Sequence, residues 1–236
     1  MNKIFRGLSQ VCLLLWYWKF FQLAQVFSNK LFPSSVMRMK KNILYKLSHE
    51  KCRSERKSEG TEVFRGNKQS IRNMVRDLYN NDQKTLEFYD DSFEQGTEPW
   101  IAQQGDTVVG AIWLFSGSYL VMWEGYDAYL LRLHAESGAK FFGNVYVSPR
   151  LRGQGLFTLV AKHCFTNHPG MKFYSVVDES NIPSIKSHEK IGFQPCGTVR
   201  YIRFFQWTFC MVVVERRNVK FFRLQKGKET AVFLNT

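Results

Sequence analysis

Apolar and polar residues alternate along this chain with two periods, and the changes of period mark out its elements. Thr61–Arg65 reads as a short strand. In Ser70–Tyr79 the apolar residues Ile71, Met74, Val75 and Leu78 recur at helical spacing, with Ser70 as the N-cap. Gln83–Glu94 predicts a second, weaker helix. Pro99–Gln104 and Thr107–Phe115 read as strands around the turn Gln104-Gly105-Asp106. Tyr119–Trp123 adds a strand, and Asp127–Leu133 a short helix or loop. Ala139–Val147, rich in aromatic and β-branched residues, is a strand stopped by Pro149. Gly155–Asn167 places Leu156, Leu159, Val160 and Cys164 on one helical face. Phe173–Val177 predicts a strand, Pro183–Ile191 a helix, and Gly197–Phe205 and Phe209–Val214 two further strands. A strand, two helices and a meander, followed by strand–helix–strand–helix–strand, predict an α/β (α+β) fold with a mixed central sheet flanked by helices.

Residues 1–47 stand before this pattern and read as a helical extension, aromatic and basic. Val11–Phe27 (VCLLLWYWKFFQLAQVF) is interrupted by Lys19, Gln22 and Gln25 and falls short of the roughly 20 apolar residues of a spanning helix. No small-residue cleavage site follows it, so a signal peptide is not the favoured reading. Trp16, Tyr17, Trp18, Phe20 and Phe21 suit a membrane interface, and Arg38, Lys40, Lys41 and Lys46 could meet anionic head groups. Packing on the folded domain, or on a second copy in a homodimer, suits the same residues. Residues 48–60 read as a polar linker, 61–215 as the folded domain and 216–236 as a basic tail.

Hydrophobic residues make up 44% of the 236 and aromatics 16%, a globular balance. The net charge of +13 would suggest nucleic acid, but its distribution speaks against that. Residues 1–60 carry a net +9, residues 61–210 a net of zero and residues 211–236 a net +4. The neutral middle, with no base-stacking module or zinc pattern, makes nucleic acid an unlooked-for partner. Cys12, Cys52, Cys164, Cys196 and Cys210 are scattered and odd in number, which argues against a disulfide framework or metal site and fits a reducing, cytoplasmic setting.

The chemistry concentrates between Asn144 and Phe193. In Val145-Tyr-Val-Ser-Pro-Arg-Leu-Arg-Gly-Gln-Gly-Leu156 a strand ends, a basic turn with two glycines follows, and a helix begins. Glycines let backbone N–H groups approach an anion, and a helix N-terminus adds unpaired donors. No Gly-Lys-Ser/Thr follows, so this is not a Walker loop. Arg150-x-x-Gly153-x-Gly155 after Val147-Ser148-Pro149 resembles the pyrophosphate-binding element of the GNAT superfamily of acyl-CoA-dependent acyltransferases. Asn181-Ile-Pro-Ser184-Ile185 through His188, Lys190, Gly192 and Phe193 resembles its next strand–helix unit, with Asn181 as cap. The motifs are specific from Asn144 to Phe193, and the architecture extends over residues 61–210.

The resemblance implies the GNAT fold and acetyl-CoA as co-substrate. It implies that Val145, Tyr146 and Val147 hold the pantetheine arm, and that Arg150 and Arg152 add positive charge. The backbone amides of Leu151, Arg152, Gly153, Gln154 and Gly155, ahead of Leu156, would hold the pyrophosphate, with Asn181 and Ser184 on the second unit. It implies transfer of an acetyl group to the amine of a small molecule or sugar intermediate, in a ternary complex. At the position where the family often has an acidic tyrosine stands His188, a candidate proton donor or a mere cofactor contact; Tyr174, Tyr146 and Tyr201 are alternatives. Asn144 stands where some members have a basic glutamate and could orient water or substrate. Asp90, Asp91 and Glu94, or Glu124 and Asp127, could bind or deprotonate a cationic acceptor, and the aromatic stretch Trp113–Tyr129 could line its groove. A non-catalytic acyl-CoA sensor and a protein or peptide N-acetyltransferase are the rival readings.

Overall fold

The computed structural model describes residues 37–47, 60–121, 129–204, 207–215, 218–225 and 228–234. Strands β1 (Met37–Leu47) and β2 (Thr61–Arg65) are followed by helices α1 (Lys68–Tyr79) and α2 (Gln83–Glu94). Then come β3 (Glu98–Gln104), β4 (Thr107–Ser116), β5 (Ser118–Val121), β6 (Tyr129–His134) and β7 (Lys140–Val147). Helix α3 (Leu156–Asn167), β8 (Phe173–Asp178), helix α4 (Ile182–Lys190) and β9 (Phe193–Phe204) follow, and β10 (Trp207–Val214), β11 (Asn218–Leu224) and β12 (Lys228–Phe233) close the chain. Nine strands form one sheet in the order β11-β10-β9-β1-β8-β7-β4-β3-β2, and β12-β6-β5 form a second. The sheet is mixed: β7 and β8 run parallel within antiparallel surroundings. The expected α/β (α+β) architecture is present.

The core lies in three clusters set by the pleat. Phe142, Leu156, Phe157, Val160, Cys164, Phe165, Phe173 and Phe193 pack α3 and α4 onto one face of the sheet. On the other face, Ile71, Met74, Val75, Tyr89 and Trp113 seat α1 and α2. Further along that face Leu44, Val199, Tyr201, Cys210, Val212 and Leu224 meet Leu131, Leu133 and Val232 of the small sheet. Burial of side chains this size contributes about 1.5–3 kcal/mol each before the entropy of ordering is set against it.

Four expectations are corrected. Residues 37–47 are not part of a helical extension but a strand inside the sheet, paired with β8 on one side and β9 on the other. Ile43, Tyr45 and Leu47 face α3 and α4 while Leu44 faces the small sheet. Four cations hid that alternation, and two of them, Lys40 and Lys41, pair with Asp178 (3.1 Å) and Glu179 (2.8 Å) far along the chain. The segment 216–236 is no mere tail, since β11 buries Leu224, β12 buries Val232, and Leu234 follows buried, while the charged residues of both strands are exposed. Where a short helix or loop is expected over Asp127–Leu133, the described residues from Tyr129 on form a strand, Tyr129–His134, parallel to β12. Asn67, not Ser70, caps α1, with Ser70 answering at the third position of a capping box. The membrane reading of Val11–Phe27 and the linker at 48–59 lie outside the described residues. Among the described residues no helix is long and apolar enough to cross a membrane.

Candidate active site

The parallel strands β7 and β8 pair only from Lys140↔Phe173 to Phe142↔Ser175. Beyond that, β7 stays with β4 as far as Val147↔Gly110, and β8 stays with β1 as far as Asp178↔Asn42. The sheet therefore opens between them, with residues 143–147 on one wall and 176–178 on the other. Strand backbone that lacks a neighbour must find another partner, water or an extended ligand. One extra residue enters β7 here, because the register with β4 shifts between Trp113↔Gly143 and Ala111↔Tyr146. Asn144 takes the left-handed conformation (φ 47°) that lets the strand bulge. Its Nδ2 is buried without a hydrogen-bond partner among the described residues. Val145 is exposed, and Tyr146 and Val147 are half-buried.

The turn after β7 is built to leave donors open. Ser148 N–H donates to Val109 O (2.8 Å) and ties the turn to β4. Leu151 N–H donates to Ser148 O (2.9 Å), Arg152 N–H to Pro149 O (3.3 Å) and Gln154 N–H to Leu151 O (3.3 Å). These three amides, expected among the pyrophosphate donors, thus close the turn itself. Arg152 Nε donates to Val147 O (3.2 Å) and Gln154 Nε2 to Arg150 O (2.8 Å), which pins both side chains back onto the loop. Gly153 (φ 77°) and Gly155 (φ 87°) are left-handed, and an added Cβ would meet nothing within 4 Å at either. The first helical bond of α3 runs from Leu159 N–H to Gly155 O (3.0 Å), and no side chain caps the helix. The N–H groups of Gly153, Gly155, Leu156, Phe157 and Thr158 consequently have no acceptor among the described residues. Unpaired N–H groups and the positive end of a helix dipole, beside the exposed Arg150 and Arg152, form an anion site open to solvent.

The opposite wall is closed. At the start of α4 the Asn181 carboxamide oxygen accepts from Ser184 N–H (3.2 Å), the helix cap expected of Asn181. His188 is 2% exposed. Its Nδ1 lies 2.8 Å from Ser184 O, a pure acceptor, so Nδ1 carries the proton and Nε2 accepts from the Ser175 hydroxyl (3.0 Å). The rings of Tyr45, Phe157 and Phe193 surround it. Burial draws its pKa down to about 4, leaving it neutral near pH 7 with both nitrogens engaged. Tyr174 is also 2% exposed and points to the other face of the sheet from its neighbour Ser175. Its hydroxyl donates to Glu136 (3.2 Å), and burial followed by that carboxylate's charge pushes its pKa up. His188 and Tyr174 are therefore both buried and hydrogen-bonded within the fold, on opposite faces of the sheet.

The acids are equally divided. Asp91 is exposed on α2, its neighbour Asp90 keeps one buried oxygen unpaired, and Glu124 and Asp127 lie outside the described residues. Glu98 is buried, but at the end of β7 away from the opening, where Lys140 (2.5 Å) and His168 (3.0 Å) hold it. Trp113 is fully buried and stacks on Tyr89 (4.6 Å), so it belongs to the core and not to a groove. A set that sequence reasoning missed joins it to the opening: Tyr89 hydroxyl meets Tyr79 hydroxyl (3.0 Å), and the Tyr79 ring meets Tyr146 on β7 (5.3 Å). Their only sequence signal is the aromatic count, because α1, α2 and β7 come together in space alone.

Residues 68–193, just over half of the chain, match the Acetyltransferase (GNAT) family. The chain belongs to that family. The matched stretch contains the opening, the glycine turn and α4. Among solved structures, this GNAT chain is similar to a functionally unknown conserved protein from Staphylococcus epidermidis, at 11% identity and a TM-score of 0.51, covering 70% of this chain and 61% of that one. It is also similar to an acetyltransferase of the GNAT family from Colwellia psychrerythraea, at 14% identity and a TM-score of 0.44, covering 72% and 56%. The chain thus spans somewhat over half the length of these proteins. No protein of curated function matches the sequence.

Proposed function

We propose that this chain is an N-acetyltransferase that moves an acetyl group from acetyl-CoA to the amine of a small molecule or sugar intermediate, both bound at once. The observation that carries the reading is the five amides at the glycine turn and the start of α3 that have no acceptor among the described residues, beside a strand opening that can take an extended arm. The residues fit the cofactor: a pyrophosphate needs convergent N–H donors and open space, and Gly153 and Gly155 offer both. Arg150 and Arg152 add positive charge there, and the free edge of β7 at Val145–Val147 holds the arm. When bound, acetyl-CoA supplies an acyl group activated as a thioester. Asn144, at the bulge of β7 and with an Nδ2 donor that has no partner among the described residues, orients the acceptor or its water. With His188 and Tyr174 walled off, the proton-donor role passes to Tyr146, the half-buried tyrosine on the opening itself. The acceptor enters from the α1–α2 side, past Tyr79 and Tyr146, with Asp90 and Asp91 of α2 to attract a cation. A cytoplasmic location suits this chemistry.

One observation favours a second reading, an acyl-CoA binder without transfer: two residues expected to move protons are buried and saturated with structural partners. A single experiment separates the two. Acetyl-CoA is titrated calorimetrically into the full chain, and thiol release is then followed across a panel of amines and amino sugars. Binding with saturable, amine-dependent release supports transfer. Binding without release supports the second reading, and absence of binding sinks both.

A further inference from the structure

The opening between β7 and β8 has a closed end, and two rings sit over it. Pairing stops at Phe142↔Ser175, so Gly143 and Val176 are the first residues past the last rung. On the α3–α4 face that end is filled. Phe142 packs on Phe165, Phe173 and Phe193, and the Ser175 hydroxyl meets His188 (3.0 Å). On the other face Gly143 brings no side chain, and neighbouring strands bring rings over it. A Cβ added there would collide with Tyr119 Cε2 and come within 2.8 Å of Phe115 Cε2. So close an approach requires glycine. Tyr119 of β5 meets Phe115 of β4 edge-on (5.1 Å) and stacks on Phe141 (5.8 Å). Phe141 in turn tilts against Tyr174 of β8 (5.5 Å). Phe115 packs against both the α1–α2 cluster and the small-sheet cluster, so the two rings wedge the junction between them. Burial pushes the Tyr119 phenol up to about 12, so it is neutral near pH 7 and serves as a wall, not as a proton carrier.

With acetyl-CoA in the opening, as proposed above, we infer that the Tyr119 and Phe115 rings over Gly143 limit the acyl group to a short chain. The unpaired amides lie at the mouth of the opening, past Val147. Gly143 lies four strand steps from Val147, about 13 Å down the edge of β7. An arm anchored at the mouth and laid along that edge brings its acyl end to the closed end. There the carbons beyond the carbonyl meet an aromatic floor and no tunnel. Rings packed on one another give way little, because a close-packed interior has no spare volume to yield. Each methylene refused room costs about tenfold or more in kcat/KM. Tyr146, on the acceptor's path with Tyr79, lies nearer the mouth, so chain-length selection and acceptor binding fall to different rings.

The test compares acetyl-, butyryl- and hexanoyl-CoA in the full chain, by calorimetric affinity and, with an amine that supports thiol release, by kcat/KM. The unmutated chain is expected to favour acetyl-CoA over butyryl-CoA by about tenfold or more. Tyr119→Ala removes the wall and brings butyryl-CoA within about threefold of acetyl-CoA. Tyr119→Phe keeps the ring and therefore keeps the preference. Equal use of all chain lengths by the unmutated chain overturns the inference. So does a preference that survives Tyr119→Ala, or one that Tyr119→Phe abolishes as fully as Tyr119→Ala. Should Tyr119→Ala fail to fold by circular dichroism, Phe115→Leu takes its place and shifts the preference the same way by a smaller amount; no shift refutes the wall. Failure of the acetyl-CoA reading looks different: none of the three thioesters binds any variant, and the wall falls with it.

Discussion

Two helices begin beside the opening between β7 and β8, and they begin differently. α4 starts with Asn181 folded over its first turn, so its donors are satisfied from within. α3 starts with Gly155 in a left-handed conformation and no side-chain cap, so its donors face outward. The same asymmetry runs down the walls. Beyond α3 lie exposed arginines and a strand edge without a neighbour. Within α4 His188 is sealed among three aromatic rings and hydrogen-bonded at both nitrogens. A helix begun by glycine in place of a side-chain cap forgoes roughly a few tenths of a kcal/mol of stability. The α3 side forgoes it and gains a site for an anion; the α4 side keeps it and serves as the rigid wall.

The largest effect should come from filling the open side. Gly153→Glu puts a side chain and a negative charge in the turn that carries the unpaired amides, and forces a residue with a Cβ into a left-handed backbone. CoA affinity should fall more than 100-fold by calorimetry, with the far-UV circular dichroism of the fold kept. Retained binding would show that the turn is not the anion site.

Next comes the closed side, where the effect is on stability. His188 has a folded-state pKa of about 4, below the ordinary value near 6.5 that an unfolded chain shows. Between those values the unfolded state binds the extra proton, so this group's contribution is complete above pH 6.5 and is lost as pH falls toward 4. Linkage puts the loss at about 3 kcal/mol. His188→Gln should flatten the difference in urea-unfolding free energy between pH 7 and pH 4.5 relative to the unmutated chain. An unchanged slope would place the titration elsewhere. Tyr146→Phe should act oppositely, on turnover alone: kcat about tenfold lower, KM and stability nearly unchanged. Equal loss in Tyr174→Phe would return the proton to the buried tyrosine.

These contrasts also explain what could be read beforehand. The glycine turn was legible because its chemistry is local: Pro149, Gly153 and Gly155 dictate a stop, two left-handed residues and a helix start within seven positions. The role of His188 was not, since its motif position is local but its burial depends on Tyr45 and Phe157, from β1 and α3. β1 itself was hidden for the same reason. Its lysines read as a basic run for anionic head groups until Asp178 and Glu179, 138 residues beyond Lys40 and Lys41 respectively, come alongside. The amides of Phe157 and Thr158 were missed although a signal existed, for a glycine at the cap position announces a helix that cannot cap itself.

The smallest effect sharpens the comparison most. Asn181→Ala removes the cap of α4 and should cost about 1 kcal/mol in urea unfolding. If α4 is only the rigid wall, CoA affinity should move less than threefold, because the lost hydrogen bond is internal to the helix. If instead Asn181 and Ser184 turn outward to meet the cofactor, affinity should fall at least tenfold for the same loss of stability. Measuring both in one variant therefore asks whether the capped helix stays capped when ligand is present. It is the step at which the closed side of the opening either keeps its structural role or joins the site.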